Sequence, residues 1–163
     1  MIRPAASGKV GSLSGLVERL KAERGAGKTV AFANGIFDLL HVGHLRYLTA
    51  AAAEADLLVV GINSDASARA LKGEGRPVTP AAERAELVAG LECVDHVIVF
   101  EEPTCDDVLR NLRPEVHCKG TDYTAETVPE AATVRSYGGR IAIVGDPKQH
   151  ATRDIIAAIT NLP

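Results

Sequence analysis

The chain has 163 residues, about one domain, and is long enough to bury a core without disulfide or metal staples. With 46% hydrophobic and 24% charged residues it has the composition of an ordinary soluble protein, which excludes extensive disorder. A net charge of −3, from 18 basic and 21 acidic residues, argues against sequence-independent binding to nucleic acid or to an anionic membrane. Aromatics make up only 4%, with no Trp, so stacking platforms for single-stranded nucleic acid are not expected. No apolar run reaches the roughly 18–20 residues of a membrane span. The N-terminal stretch MIRPAASGKVGSLSG lacks the apolar block of an export signal, so a cytoplasmic protein is expected. Cys93, Cys105 and Cys118 are odd in number and lie 12 and 13 residues apart, which fits reduced thiols better than disulfides or a zinc site.

Residues 1–11 are small and polar and are expected to be a flexible segment ahead of one domain over 12–163. From 12 to 24, Leu13, Leu16, Val17 and Leu20 recur at helical spacing behind Ser12, a plausible cap, and Gly25-Ala26-Gly27 ends the helix. Strands are predicted at 29–34, 57–63, 96–100, 116–120 and 140–145, each short and apolar. Between and after them, helices are predicted at 42–55, 64–71, 81–91, 106–112, 129–137 and 152–159. Ser64 or Asp65 caps the second of these, Pro80 and Glu83 sit near the start of the third, and 72–80 is a Gly/Pro loop.

Five continuously apolar strands separated by helices point to a parallel sheet covered by helices on both faces. In such folds ligands sit beyond the carboxyl ends of the strands, where the strand order reverses. The segments 34–44, 63–72, 119–123 and 145–152 are therefore the candidates, and all are rich in groups that hold phosphate or sugar.

Gly27-Lys28-Thr29 mimics the tail of a phosphate loop, but a helix precedes it and a strand follows, the reverse of what that loop requires. It reads as a helix-to-strand turn. The stronger signal is NGIFDLLHVGH, 34–44, which follows the first strand and opens a helix. Free N–H groups and the positive end of the helix dipole would face the crevice there. His41 and His44 are three apart, on one face of the helix start, and Gly43 between them admits a close approach. Two imidazoles at that helix end can hold a triphosphate and stabilise charge on a departing pyrophosphate. The plainer reading makes them caps or core fillers. A zinc reading lacks a well-placed third ligand.

GIFDLLHVGH resembles the G-x-F-D-x-x-H-x-G-H signature of the cytidylyltransferase-like nucleotidyltransferases, and the similarity extends over roughly 29–160. The resemblance implies a Rossmann-like fold and transfer of a nucleotidyl group from a nucleoside triphosphate with release of pyrophosphate. The stretches NSDASARALKGEGRPVTPAAER (63–84), LECVDHVIVFEE (91–102) and KGTDY (119–123) are most similar to the adenylyltransferases of bacterial ADP-heptose synthesis. Those enzymes adenylylate a heptose 1-phosphate and are often fused to a sugar kinase, for which this length has no room. A stand-alone transferase and a homodimer are therefore expected.

The resemblance carries residue roles with it. His41 and His44 match the histidines that bind the triphosphate and stabilise the transition state, and Lys72 matches a lysine at the reacting centre. Asn34, Gly35, Phe37, Asp38 and Gly43 belong to the signature that meets the nucleotide, with Asp38 as readily a support for the turn as a contact. Arg84 matches an arginine that assists phosphate binding or holds the site together. Lys119, Gly120, Asp122 and Tyr123 match the motif near ribose and base, and Arg76, Asn63 and Asp65 are candidates for the acceptor sugar phosphate. Such families open their last helix with Ser-Thr-Thr or Ser-Thr-Ser; here Ala151-Thr152-Arg153 keeps one hydroxyl, Thr152, and adds a charge. The preceding DPKQH (146–150) also departs from the heptose enzymes.

The implied reaction needs no covalent intermediate and no general base, because a phosphate monoester is already anionic at neutral pH. Mg²⁺ would come with the triphosphate rather than in a protein cage. Two rivals remain: a cytidylyltransferase making a CDP-polyol such as CDP-glycerol, and a non-catalytic nucleotide-binding regulatory module.

Overall fold

The computed structural model describes residues 6–147 and 149–162. Its elements in chain order are α1 (Leu13–Gly25), β1 (Val30–Gly35), α2 (Val42–Ala52), β2 (Leu57–Asn63), α3 (Asp65–Lys72), α4 (Ala81–Ala89), β3 (His96–Phe100), α5 (Asp106–Leu112), β4 (Val116–Lys119), α6 (Ala131–Ser136), β5 (Arg140–Ile143) and α7 (Thr152–Thr160). The five strands form one sheet in the order β3-β2-β1-β4-β5, every pair parallel. This is the Rossmann-like arrangement expected from the alternation of apolar strands and helices.

Period-two alternation divides each strand between two cores. Ala31, Ala33, Leu58, Val60 and Val97 face one side, where Leu48 and Ala51 of α2 and Ala85, Val88 and Ala89 of α4 cover them. Val30, Phe32, Val59 and Ile98 face the other, against Leu16 and Leu20 of α1, Val108, Leu109 and Leu112 of α5 and Val134 of α6. β2 is buried over its whole length, which is why LLVVGIN reads as continuously apolar.

Ser12 caps α1 as expected, its side chain accepting from Gly15 N at 3.2 Å. The helix expected over 42–55 stops at Ala52; four residues on, Asp56 accepts from the Thr29 amide and hydroxyl, both at 2.8 Å, and ties the next turn to the start of β1. Lys28 pairs with Glu23 at 2.7 Å, so Gly27-Lys28-Thr29 is the connector its order suggested. Of the segment expected to be flexible, residues 1–5 lie outside the described residues. Its remainder is tied to β3: Val97 N donates to Lys9 O at 2.9 Å, Gly11 N to Val97 O at 3.0 Å, and Lys9 Nζ to Val94 O at 2.6 Å. Among the described residues no helix is long and apolar enough to cross a membrane.

The strand order reverses at β1, whose neighbours β2 and β4 lead to opposite halves of the sheet. The carboxyl ends there carry Asn34, Asn63 and Lys119. The fold thus places polar side chains where a crevice must open.

Candidate active site

A cleft of about 830 Å³ lies over these strand ends, walled by the β1–α2 loop, the N-termini of α2 and α7, and the segments after β4 and β5. Asn34, Gly35, Phe37, Asp38, His41, Gly43, His44, Asn63, Lys72, Arg76, Lys119, Gly120, Asp122, Tyr123 and Thr152 all line it. Residues from four separated stretches of sequence therefore meet in one site.

The β1–α2 loop is under backbone tension. Phe37 and Leu39 adopt left-handed conformations, φ 52° and 49°, which cost non-glycine residues on the order of 1–3 kcal/mol each. Its surroundings hold the loop in place. The buried Phe37 ring packs edge-on to His44 at 5.4 Å and nearly parallel to Tyr47 at 6.4 Å. The buried Asp38 carboxylate accepts from Arg76 Nε (2.9 Å), Val78 N (2.8 Å) and Thr79 N (3.0 Å). Burial raises its pKa, but these three donors outweigh burial and leave the carboxyl below its ordinary value. The Thr152 hydroxyl donates to Asp38 O at 2.6 Å, and Arg84 Nη1 to Ile36 O at 2.6 Å.

This loop sets both imidazoles. His41 is the extended N-cap of α2, with φ −139°, and its Nδ1 accepts from Gly43 N at 3.1 Å. His44 Nδ1 accepts from His41 N at 3.4 Å, closing a reciprocal cap. An Nδ1 that accepts carries no proton, so each neutral ring is in its Nε2–H form. The rings stack 3.8 Å apart, nearly parallel. Burial, and then the charge of His150, whose ring lies 6.5 Å from that of His41, hold His41 below the ordinary histidine value. The pair is thus two fixed N–H donors at the positive end of a helix.

Two of the expected contact residues fall outside the cleft, and three that line it are held by internal partners. Arg84 does not line the cleft: it is 1% exposed and turned inward, donating to Thr79 O, Ile36 O, Asn63 O and Asp65. Of its two expected roles, phosphate contact or site support, the geometry leaves support. Asp65 is likewise outside the cleft, accepting from Arg84 Nη2 and Ala81 N, both at 2.8 Å. Asp38 is committed to its three donors, and Arg76 is paired with it. The one surviving hydroxyl, Thr152, donates its hydrogen bond to Asp38 O.

Lys72 ends α3 with an exposed side chain, followed by Gly73 and Gly75 at φ 92° and 78°, conformations that suit glycine. Asn63 is buried and donates to Ser67 Oγ at 3.0 Å. Lys119 donates to Asn34 Oδ1 at 3.1 Å and lies 5.2 Å over the Tyr123 ring.

Two contributors come from stretches the sequence reading had marked, and a third, Glu130, escaped it. His150 and Arg153 line the cleft beside Thr152, and the Ala151 cap of α7 offers no side-chain acceptor to that helix's first amides. His150 stands in the DPKQH stretch already marked as a departure. Glu130, 4% exposed, enters the cleft from the residue before α6, where it resembled an ordinary helix charge.

The model of the family described as cytidylyltransferase-like matches residues 32–157. The chain is 47% identical over 151 residues to the bifunctional protein HldE of Geobacter metallireducens, an alignment covering 93% of this chain and 31% of that protein. It is 50% identical over 140 residues to the bifunctional protein HldE of Syntrophotalea carbinolica, covering 86% and 29%. The chain thus spans about a third of the length of these curated relatives. Among solved structures it is similar to the lipopolysaccharide core biosynthesis protein from Thermoplasma volcanium, with a TM-score of 0.64 and 25% identity over 74% of this chain and 99% of the other. With the sheet order, the histidine-bearing helix start and these similarities together, the chain belongs to the cytidylyltransferase-like family.

Proposed function

We propose that the cleft transfers AMP from ATP to a sugar 1-phosphate, a heptose 1-phosphate being the first choice, releasing pyrophosphate and giving an ADP-sugar. Membership of the cytidylyltransferase-like family, the similarity to one third of bifunctional HldE proteins and the likeness to a lipopolysaccharide core biosynthesis protein support this reading. The observation that carries it is the pair of Nε2–H donors fixed by their own caps at the α2 N-terminus.

In the proposed reaction a phosphate oxygen of the acceptor attacks the α-phosphorus in line. The α-phosphorus bond to the bridging oxygen breaks, and pyrophosphate takes the electron pair. His41 and His44 hold the leaving phosphates by N–H donation, and the first amides of α2 add the field of the helix end. Lys72, exposed at the end of α3 ahead of a glycine-bearing loop, closes over the reacting phosphates. His150, Arg153 and the amides of α7 supply the charge and donors that a run of hydroxyls would give. Lys119 and Tyr123 take the ribose and base, and Asn63 is placed toward the acceptor. Catalysis is positioning and electrostatic stabilisation, with no covalent intermediate. Mg²⁺ would enter with the triphosphate and supply positive charge to its phosphates. A cytoplasmic homodimer is the proposed setting, checked by light scattering for the dimer.

The experiment is a panel of nucleoside triphosphates against sugar and polyol phosphates, read by pyrophosphate release. Turnover with ATP and a heptose 1-phosphate is expected. Preference for CTP with glycerol phosphate would make the chain a cytidylyltransferase. Nucleotide binding without release across the panel would make it a regulatory module.

A further inference from the structure

Behind the nucleotide half of the cleft lies a buried cluster that the proposed mechanism does not use. Cys105 precedes α5, His117 is on β4 and Glu130 precedes α6, and their exposures are 0%, 0% and 4%. Glu130 Oε2 lies 3.3 Å from Lys119 Nζ and 3.6 Å from His117 Nε2, while Cys105 Sγ donates to Oε1 at 3.5 Å. Three elements therefore converge on one carboxylate.

Charge decides how the cluster is read. Burial is the largest influence on Glu130 and opposes its charge, yet His117 and Lys119 outweigh it and bring the carboxyl down to about 2. Burial holds His117 below its ordinary value and pushes the Cys105 thiol up. The buried carboxylate thus faces the Lys119 ammonium, 7% exposed, at the cleft floor. The same ammonium is held from a second side by Asn34 Oδ1 at 3.1 Å and lies over the Tyr123 ring. The His117 ring is itself fixed by stacking on Phe32, centroids 5.7 Å apart.

We propose that Glu130 is a positioning residue for nucleotide binding, pinning the Lys119 ammonium at the cleft floor through Oε2 while Cys105 donates to Oε1. The proposal rests on the reading above that Lys119 meets the nucleotide, and it explains why a carboxylate lines a site built for an anion. An unpaired Glu130 there would disfavour an anionic nucleotide; paired, it converts a flexible lysine into a fixed charge. The donor atoms of Cys105, His117 and Glu130 lie within 4.8 Å of one another, a spacing a divalent ion can also use. Such an ion would face the Lys119 ammonium already paired to Oε2, so the ion pair is the favoured reading.

The test compares Glu130→Gln, Glu130→Asp, Lys119→Met and Lys119→Met/Glu130→Gln in the full chain. The readouts are MgATP and MgCTP affinity by calorimetry, KM and kcat, and urea stability. Glu130→Gln is expected to weaken binding of the preferred nucleotide by about tenfold or more, in KM rather than kcat. In the Lys119→Met background the same change is expected to have no further effect on affinity, because its route to the ligand is gone. Should Glu130→Gln unfold, Glu130→Asp draws the charge back by one methylene and gives the same test. Lower stability with unchanged affinity overturns the proposal, as does an equal loss in the Lys119→Met background. So does a stoichiometric Zn²⁺ in the wild-type chain that disappears in Cys105→Ser. A wild-type chain that binds neither nucleotide overturns the functional reading and this proposal together, whereas wild-type binding indifferent to Glu130 overturns this one alone.

Discussion

His41 performs two tasks that one substitution can separate. Its Nδ1 caps α2 by accepting from Gly43 N at 3.1 Å, and its Nε2–H is the proposed donor to phosphate. His41→Asn retains a side-chain acceptor at the N-cap, where Asn ranks among the best residues, and removes the second donor. Stability to urea is expected within about 0.5 kcal/mol of wild type. Loss of one fixed donor in a preorganised site costs about 10²–10³ in turnover, or about 2.7–4 kcal/mol of transition-state stabilisation. His41→Ala removes both tasks and is expected to add about 1 kcal/mol of destabilisation to the same loss of rate. The assays are urea denaturation and pyrophosphate release at saturating substrates. A well-folded His41→Asn variant with wild-type turnover would refute the reasoning, because the cap would then be the whole role of this histidine.

Other outcomes follow from the same geometry. Gly43→Ala places a Cβ 2.9 Å from His41 Cε1, 3.0 Å from Nδ1 and 3.3 Å from the His150 Cβ. The ring must swing off its cap, so turnover is expected to fall about tenfold or more while the helix preference of Ala, about 1 kcal/mol, offsets the lost cap in a urea titration. Arg84→Met strands the carbonyls of Ile36, Asn63 and Thr79. It is expected to cost about 3–5 kcal/mol, seen as a lower urea midpoint, and to lose activity through loosening of the β1–α2 loop. Acid is expected to act in two stages on stability, followed by urea midpoints against pH. His41, His96 and His117 are held neutral below their ordinary value, chiefly by burial. The unfolded chain therefore binds more protons below about pH 6.5, and their contribution is complete above that pH and lost as pH falls toward the folded values. Asp38 and Glu130 have depressed carboxyls, so their contribution is complete above the unfolded carboxylate values and is lost as pH falls from those through the folded ones, about 2 for Glu130. In the same acid range kcat/KM is expected to fall with a midpoint below 6.5; a rise on acidification would make the imidazolium the active form.

The central strands β1 and β2 were legible because they are buried on both faces and read as near-continuous apolar runs. The histidine pair was legible because cap, glycine and second imidazole fall within four residues, and local spacing carries the whole arrangement. Arg84 and Asp65 were not. An arginine on a polar-looking helix start reads as a surface or phosphate group, and only the meeting of 36, 63 and 79 in space shows it to be an internal tie. Asp38 is answered by donors 38 to 41 residues away, a distance at which no pattern is visible. Glu130 and His117 are separated in sequence from each other and from Cys105, and each alone resembles an ordinary helix charge, strand filler or buried thiol. Chemistry built by neighbours in sequence could be read in advance; chemistry built by the topology could not.

The most direct measurement is a crystal structure with a non-hydrolysable ATP analogue and Mg²⁺. The account predicts triphosphate oxygens within about 3.2 Å of Nε2 of both His41 and His44, with the base against Tyr123 and Lys119. A triphosphate bound elsewhere, or imidazoles meeting phosphate through neither Nε2, would contradict it.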